Sequence, residues 1–122
     1  MTSSTILGDT GIELNVIGDK FKADGFAGGD GLHTVGIYLN DFIGRVFIQG
    51  SLAIVPLETD WFNIVLDGEV NSFLQFETQT DLLILKNFTG NFVWVRAKVD
   101  RSHLVSPDPL QIGRVTKIIM NK

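Results

Sequence analysis

The sequence predicts an all-β protein, an antiparallel β-sandwich of jelly-roll-like type with about eight strands, folded as one domain over residues 1–122. Three observations carry this expectation. Apolar and polar residues alternate over short runs, the period-2 signature of a half-buried strand, and almost no stretch repeats at helical spacing. Thirteen glycines are scattered at strand-like intervals, with turn residues between the runs. The chain has 122 residues, 44% of them hydrophobic and 20% charged, enough to build a core and too few for two ordinary domains.

The first alternating run, 12–17, sets Ile12, Leu14 and Val16 on an inward face. His33 to Leu39 places Val35, Ile37 and Leu39 together. Arg45 to Ile54 aligns Val46, Ile48, Leu52 and Ile54, with Gly50 marking a bulge or a close approach. Trp61 to Leu66 aligns Phe62, Ile64 and Leu66. Ser72 to Phe76, Asp81 to Lys86 and Arg114 to Met120 complete the set with the clearest run, Phe92 to Val99. There Val93, Val95, Ala97 and Val99 form the small, β-branched face suited to a core, and Phe92, Trp94, Arg96 and Lys98 form the opposite face, half solvated or in contact with a partner. The expected core comprises Val35, Ile37, Val46, Ile48, Phe62, Ile64, Val93, Val95 and Ile119. Asn40-Asp41-Phe42-Ile43-Gly44 reads as a tight hairpin, Asp67-Gly68 and Asn87 to Asn91 as turns, and Asp100 to about Gln111 as the longest polar loop.

Charge and composition narrow the function. Fourteen acidic against ten basic side chains give a net charge of -4. No cluster of Lys and Arg suited to a phosphate backbone occurs, so no nucleic-acid partner is expected. The absence of cysteine excludes disulfides, a thiolate zinc site and a thiol nucleophile. Met1-Thr2-Ser3-Ser4-Thr5 lacks the basic start and apolar stretch of a signal peptide. The apolar runs also fall far short of the ~20 residues of a membrane span. The expectation is a protein made and kept soluble in the cytosol, at least until assembly or lysis, with no membrane partner.

A search for chemistry points away from catalysis. No nucleophile elbow of the Gly-x-Ser-x-Gly kind is present. His33 opens a strand and His103 sits in a loop, each read as structural. Glu58, Asp60, Glu69 and Glu77 offer acids, but no spacing marks a converging pair, and they read as solvated charge. The glycine-rich segment Asp24-Gly25-Phe26-Ala27-Gly28-Gly29-Asp30-Gly31 holds carboxylates and flexible carbonyls of the kind calcium takes. Its spacing is neither an EF-hand nor a phosphate loop, and it reads as a surface loop feeding the His33 strand. Phe26 within it is either a contact residue or a plug beneath the loop. No catalytic residue, metal or cofactor is expected, and the chain reads as a protein that binds or builds.

Gly44-Arg45-Val46-Phe47-Ile48-Gln49-Gly50-Ser51-Leu52, followed by Asp60-Trp61-Phe62-Asn63-Ile64, resembles the strand, Gly-Ser, loop, Trp, strand pattern of discoidin-like, galactose-binding-like jelly rolls. Gly90 to Ala97 resembles that family's strand with an aromatic and an arginine, and Arg114 to Met120 its closing strand. With Gly31-Leu32-His33-Thr34 ahead of it, the combination is similar to small structural proteins of tailed bacteriophages, those of cyanobacterial phages in particular. The resemblance spans about residues 30 to 120. It implies a non-enzymatic virion structural protein, foremost a capsid decoration (cement) protein. The alternatives are a part of the tail, neck or baseplate, and a carbohydrate-binding adhesion module. The implied partners are major capsid or tail proteins, a second copy of the chain, or a host surface glycan, and the implied location is the virion after synthesis in the host cytoplasm.

The chain departs from the sugar-binding pattern at Ala53-Ile54-Val55-Pro56-Leu57-Glu58-Thr59, which is apolar where sugar-binding relatives often carry Asp-Gly. Exposed Ile54, Val55 and Leu57 would form a sticky tip suited to docking on another protein. Phe26, Ile54, Val55, Leu57, Trp61, Trp94, Arg96 and Lys98 are therefore the expected interface residues, Trp and Arg being the side chains that most often anchor one.

Overall fold

The structure, a computed structural model, describes residues 3–23 and 31–121. Ten strands are present among them: β1 (Ser3–Leu7), β2 (Val16–Ile17), β3 (Phe21–Lys22), β4 (Leu32–Asn40), β5 (Phe42–Ser51), β6 (Phe62–Asn63), β7 (Leu74–Thr80), β8 (Leu83–Thr89), β9 (Trp94–Asp100) and β10 (Arg114–Asn121). A single 3-10 turn, Glu58–Asp60, lies between β5 and β6. One sheet has the order β1-β10-β4-β8. The other has the order β2-β9-β5-β6, with β3 also paired to β9 and β7 to β5. Every pairing is antiparallel. The result is the all-β, two-sheet sandwich that the alternation predicts.

The core lies between the sheets and is built from their inward faces. Val35, Ile37 and Leu39 come from β4, Val46 and Ile48 from β5, Val95, Ala97 and Val99 from β9, and Val115, Ile118 and Met120 from β10, all buried. Phe42 and Phe88 fill the gaps that these smaller side chains leave. Each fully buried Val, Leu, Ile, Met or Phe side chain contributes about 1.5–3 kcal/mol of hydrophobic stabilisation. The alternating runs at 33–39, 45–48 and 95–99 therefore point as the sequence indicates.

Several expectations change. β1 was not anticipated: Ser3-Ser4-Thr5-Ile6-Leu7 is too polar for an alternation signal, and it becomes a strand because β10 supplies its ladder, from Ser3 opposite Asn121 to Leu7 opposite Ile118. The 12–17 run is a strand only at Val16–Ile17, and Ile12 is exposed. Strand β5 ends at Ser51, which leaves Leu52 and Ile54 outside the core. Phe62 is exposed at a two-residue strand, while Ile64 and Leu66 remain buried. Val93 and Ile119 are half-buried. Phe92 precedes β9 and does not share the outer face of Trp94: it packs on the core against Phe88 and Phe62. Gly50 is a close approach as expected, because a Cβ there would stand 2.9 Å from the Phe92 ring.

Asn40–Gly44 is not a hairpin. Strand β4 pairs in the first sheet and β5 in the second, with only Asp41 between them, so the chain turns a corner from one sheet to the other. Asp41 takes a left-handed conformation (φ 52°) to make that turn. Gly113, also left-handed, packs directly on Asn40 and Asp41 where any Cβ would collide with backbone.

A braced docking loop as the candidate functional site

The long ladder between β5 and β9 fixes the outer face of the second sheet. Since Val95, Ala97 and Val99 point inward, Trp94, Arg96 and Lys98 point outward. Register sets Ser51 opposite Trp94, Gln49 opposite Arg96 and Phe47 opposite Lys98. The segment 52–61 leaves β5 at this same end and comes back across the face of β9.

Two β9 side chains hold that segment. The Trp94 indole Nε1–H donates to the Ile54 carbonyl at 2.9 Å. Arg96 donates through Nε to Gln49 Oε1 at 2.7 Å, and through Nη1 and Nη2 to the two Glu58 carboxylate oxygens at 3.2 and 3.1 Å. Its guanidinium also stacks over Trp61, 4.2 Å from the ring centre. Gln49 Nε2 extends the network to Asn63 Oδ1 at 2.9 Å. A planar guanidinium suits this arrangement, because it can grip a carboxylate with two donors while its face covers an aromatic ring. Within the segment the Leu57 amide donates to Asp60 Oδ2 at 2.7 Å, and the Asp60 amide donates to the Leu57 carbonyl at 2.9 Å, closing the 3-10 turn. The Ala53 amide is held by Ser51 Oγ at 3.2 Å.

The electrostatics follow. Hydrogen bonding and the charge of Arg96 hold the Glu58 carboxyl below its ordinary value of 4.5. Arg96 itself is buried at 7% exposed, a position tolerable for a cation because carboxylate, amide and ring all receive it.

The expected site residues thus come together in part. Ile54, Trp61, Trp94 and Arg96 meet in one cluster. Ile54, Val55 and Leu57 are exposed, Val55 most at 81%. Trp61 and Trp94 are half-buried on the outer face, so neither belongs to the core. Arg96 faces its own loop: three of its donors are engaged within the chain, and its geometric role is to position the apolar tip. Lys98 lies farther along β9, half-exposed, 5.6 Å from the Phe47 ring and 4.0 Å from Asp100. Phe26 and the stretch 24–30 lie outside the described residues. Sequence reasoning did not single out Gln49 or Asn63, and it read Glu58 as solvated charge and not as the partner of Arg96. Only strand register reveals that Gln49 faces Arg96, whereas Glu58 carried a weak signal as the first acid of a Glu-Thr-Asp turn after an apolar loop.

Other chemistry is thin. His33 is buried, with Nε2 3.1 Å from the Gly90 carbonyl and its ring stacked on Phe88, while His103 is exposed in the loop after β9. Among the described residues no three His, Cys, Asp or Glu side chains gather as a metal site, and no helix is long and apolar enough to cross a membrane. Neither a protein family, nor a curated protein, nor a solved structure matches the chain.

Proposed function

We propose that this chain is a non-enzymatic virion structural protein, a jelly-roll-type sandwich that docks on a larger protein assembly through its 52–57 loop, with capsid decoration as the leading role. The brace at Trp94 and Arg96 carries the docking reading. Exposed apolar side chains on a loose loop lose entropy when a partner orders them, whereas Ile54, Val55 and Leu57 sit on a loop already tied down at Ile54 and Glu58. Leu52 extends this tip, and the other exposed apolar side chains are spread over the surface: Ile12 and Ile17 near β2, Leu32 on β4, Phe62 and Val65 at β6, Val70 before β7, Leu82, Leu83 and Leu85 at β8, and Val105 and Leu110 in the loop after β9. The virion setting and the capsid role rest on the sequence resemblance to tailed-phage structural proteins. A carbohydrate-binding module ranks below, because an aromatic platform needs an open ring face and each tryptophan has a cation against it, Lys20 at 5.0 Å from Trp94 and Arg96 at 4.2 Å from Trp61.

The test is co-sedimentation of the purified chain with isolated phage heads and, separately, tails. Wild type should pellet with heads, and a variant carrying Ile54→Ser, Val55→Ser and Leu57→Ser should stay in the supernatant with unchanged thermal stability. Pelleting with tails alone moves the role to tail, neck or baseplate. Failure to bind either particle overturns the virion reading, and hits on a glycan array with a matching change in tryptophan fluorescence would establish the carbohydrate module in its place.

A further inference from the structure

Arg101, the residue just after β9, is the most deeply buried charge among the described residues, at 1% exposed. Its guanidinium lies 4.5 Å from the centre of the Phe42 ring, and its Cγ would stand 2.8 Å from a Cβ on Gly44, so the glycine makes room for it. Nη1 donates to the Ile112 carbonyl at a long 3.4 Å. Among the described residues Nε and Nη2 have no hydrogen-bond partner, and no carboxylate lies within ion-pair distance of Arg101. Burial without a counter-charge pulls the affinity of this group for its proton down.

The pattern of unsatisfied donors is specific. The Nε–H and one Nη2–H lie along one edge of the planar guanidinium, and that edge matches the two oxygens of a carboxylate in a bidentate pair. A buried cation normally has such a partner. The loop that leaves the sandwich at Arg101 and returns at Ile112 brings both its ends to this guanidinium. Its bonds are largely internal: Leu104 amide to Arg101 carbonyl at 3.1 Å, Gln111 amide to Asp108 carbonyl at 2.8 Å, and Ser102 and Leu110 amides to Asp100 and Asp108 carboxylates. Gln79 Nε2 ties it to β7 through the Gln111 carbonyl at 3.0 Å. A loop so lightly held opens at low cost.

We propose that Arg101 is the recognition cation of a latent carboxylate site, closed by the 102–111 loop in the free protein and completed when a carboxylate, from a small acid or an acidic side chain, pairs with the Nε and Nη2 edge. The ligand supplies the counter-charge that the fold omits, and the loop lifts to admit it.

The test is thermal unfolding of wild type, Arg101→Met and Arg101→Lys in sodium acetate, in a blocked glutamate tripeptide and in sodium phosphate, each against sodium chloride at matched ionic strength. Acetate at ten times its dissociation constant should raise the wild-type midpoint by about 5–6 °C and leave both variants at their chloride values. Lysine keeps the charge and lacks the two-donor edge, so it serves as the control should the methionine variant fail to fold. Stabilisation by acetate alone identifies a small acid, and stabilisation by the peptide identifies an acidic side chain. An equal response of wild type and Arg101→Lys, a response to phosphate only, or no response of wild type would overturn the proposal.

Discussion

The Arg96 guanidinium lies 4.2 Å from the centre of the Trp61 ring while its terminal nitrogens grip Glu58 on the 3-10 turn at 3.1 and 3.2 Å. One side chain on β9 thereby fixes both the acid and the aromatic at the returning end of the 52–61 segment, and Trp94, two residues earlier on the same face, fixes the Ile54 end. Regular alternation on β9 makes this possible, because it sends both side chains outward on the same side of the sheet.

Replacing Arg96 with Ala should therefore cost about 2 kcal/mol, since Gln49, itself nearly buried, loses its acceptor's partner and Trp61 loses the group that covers it. Urea unfolding should show a lower midpoint with an unchanged slope, the mark of lost stability without a change in the surface exposed. Glu58→Gln should cost much less, because the Glu58 side chain is 78% exposed and water replaces most of what the charge gains. Equal losses in the two variants would mean that the ion pair, not the buried stack and amide bond, holds the segment.

The same pair makes the loop acid-sensitive. The folded carboxyl of Glu58 titrates below its ordinary 4.5, so its contribution is fully present above that value and is lost as pH falls through the lower, folded value. Trp61 fluorescence should change over that acid range and stay flat at neutral pH. Asp100, held down chiefly by its hydrogen bonds to Ser102, titrates in the same direction. Repeating the titration on Glu58→Gln separates the two, and a transition that survives the substitution assigns the signal elsewhere.

The core was legible in the sequence wherever alternation ran long enough. Val35, Ile37, Val46, Ile48, Val95, Ala97 and Val99 are buried as the period of two requires. What escaped depends on partners distant in the chain. Strand β1 exists because β10 lies beside it, and Asn40–Gly44 is a corner because β8 and β10 claim β4 while β7 and β9 claim β5. The docking loop shows the same division. Its apolar tip was visible in Ile54, Val55 and Leu57, but its brace was not, since Gln49 and Arg96 are 47 residues apart and meet only through register. Nothing local in the sequence announces that the sandwich closes around Arg101.

Trp94→Phe isolates the other end of the brace. The aromatic side chain is kept, smaller by the pyrrole ring, and the Nε1–H to the Ile54 carbonyl is lost, so stability should fall by about 1 kcal/mol for the bond plus the packing of the lost ring. Amide exchange should quicken within 52–57 and stay slow in the β5–β9 ladder. Uniform acceleration throughout the second sheet would instead make Trp94 a support for the whole sheet.

The corner between the sheets gives the sharpest stability test, because two glycines with similar backbones meet different surroundings. Gly11 and Gly113 are both left-handed, at φ 55° and 62°. An added Cβ on Gly11 meets nothing within 4 Å, whereas on Gly113 it runs into the Asn40 carbonyl oxygen and the Asp41 carbonyl group. Gly11→Ala should cost only the backbone preference, about 1 kcal/mol. Gly113→Ala adds a collision with backbone atoms that cannot turn aside, since Asp41 is itself committed to a left-handed corner one residue long, and it should cost about 3 kcal/mol or more. Urea unfolding of the two variants side by side measures the difference. Equal losses would mean that β4 and β5 can shift at the corner without disturbing either sheet, and that Gly113 is kept for its backbone conformation alone.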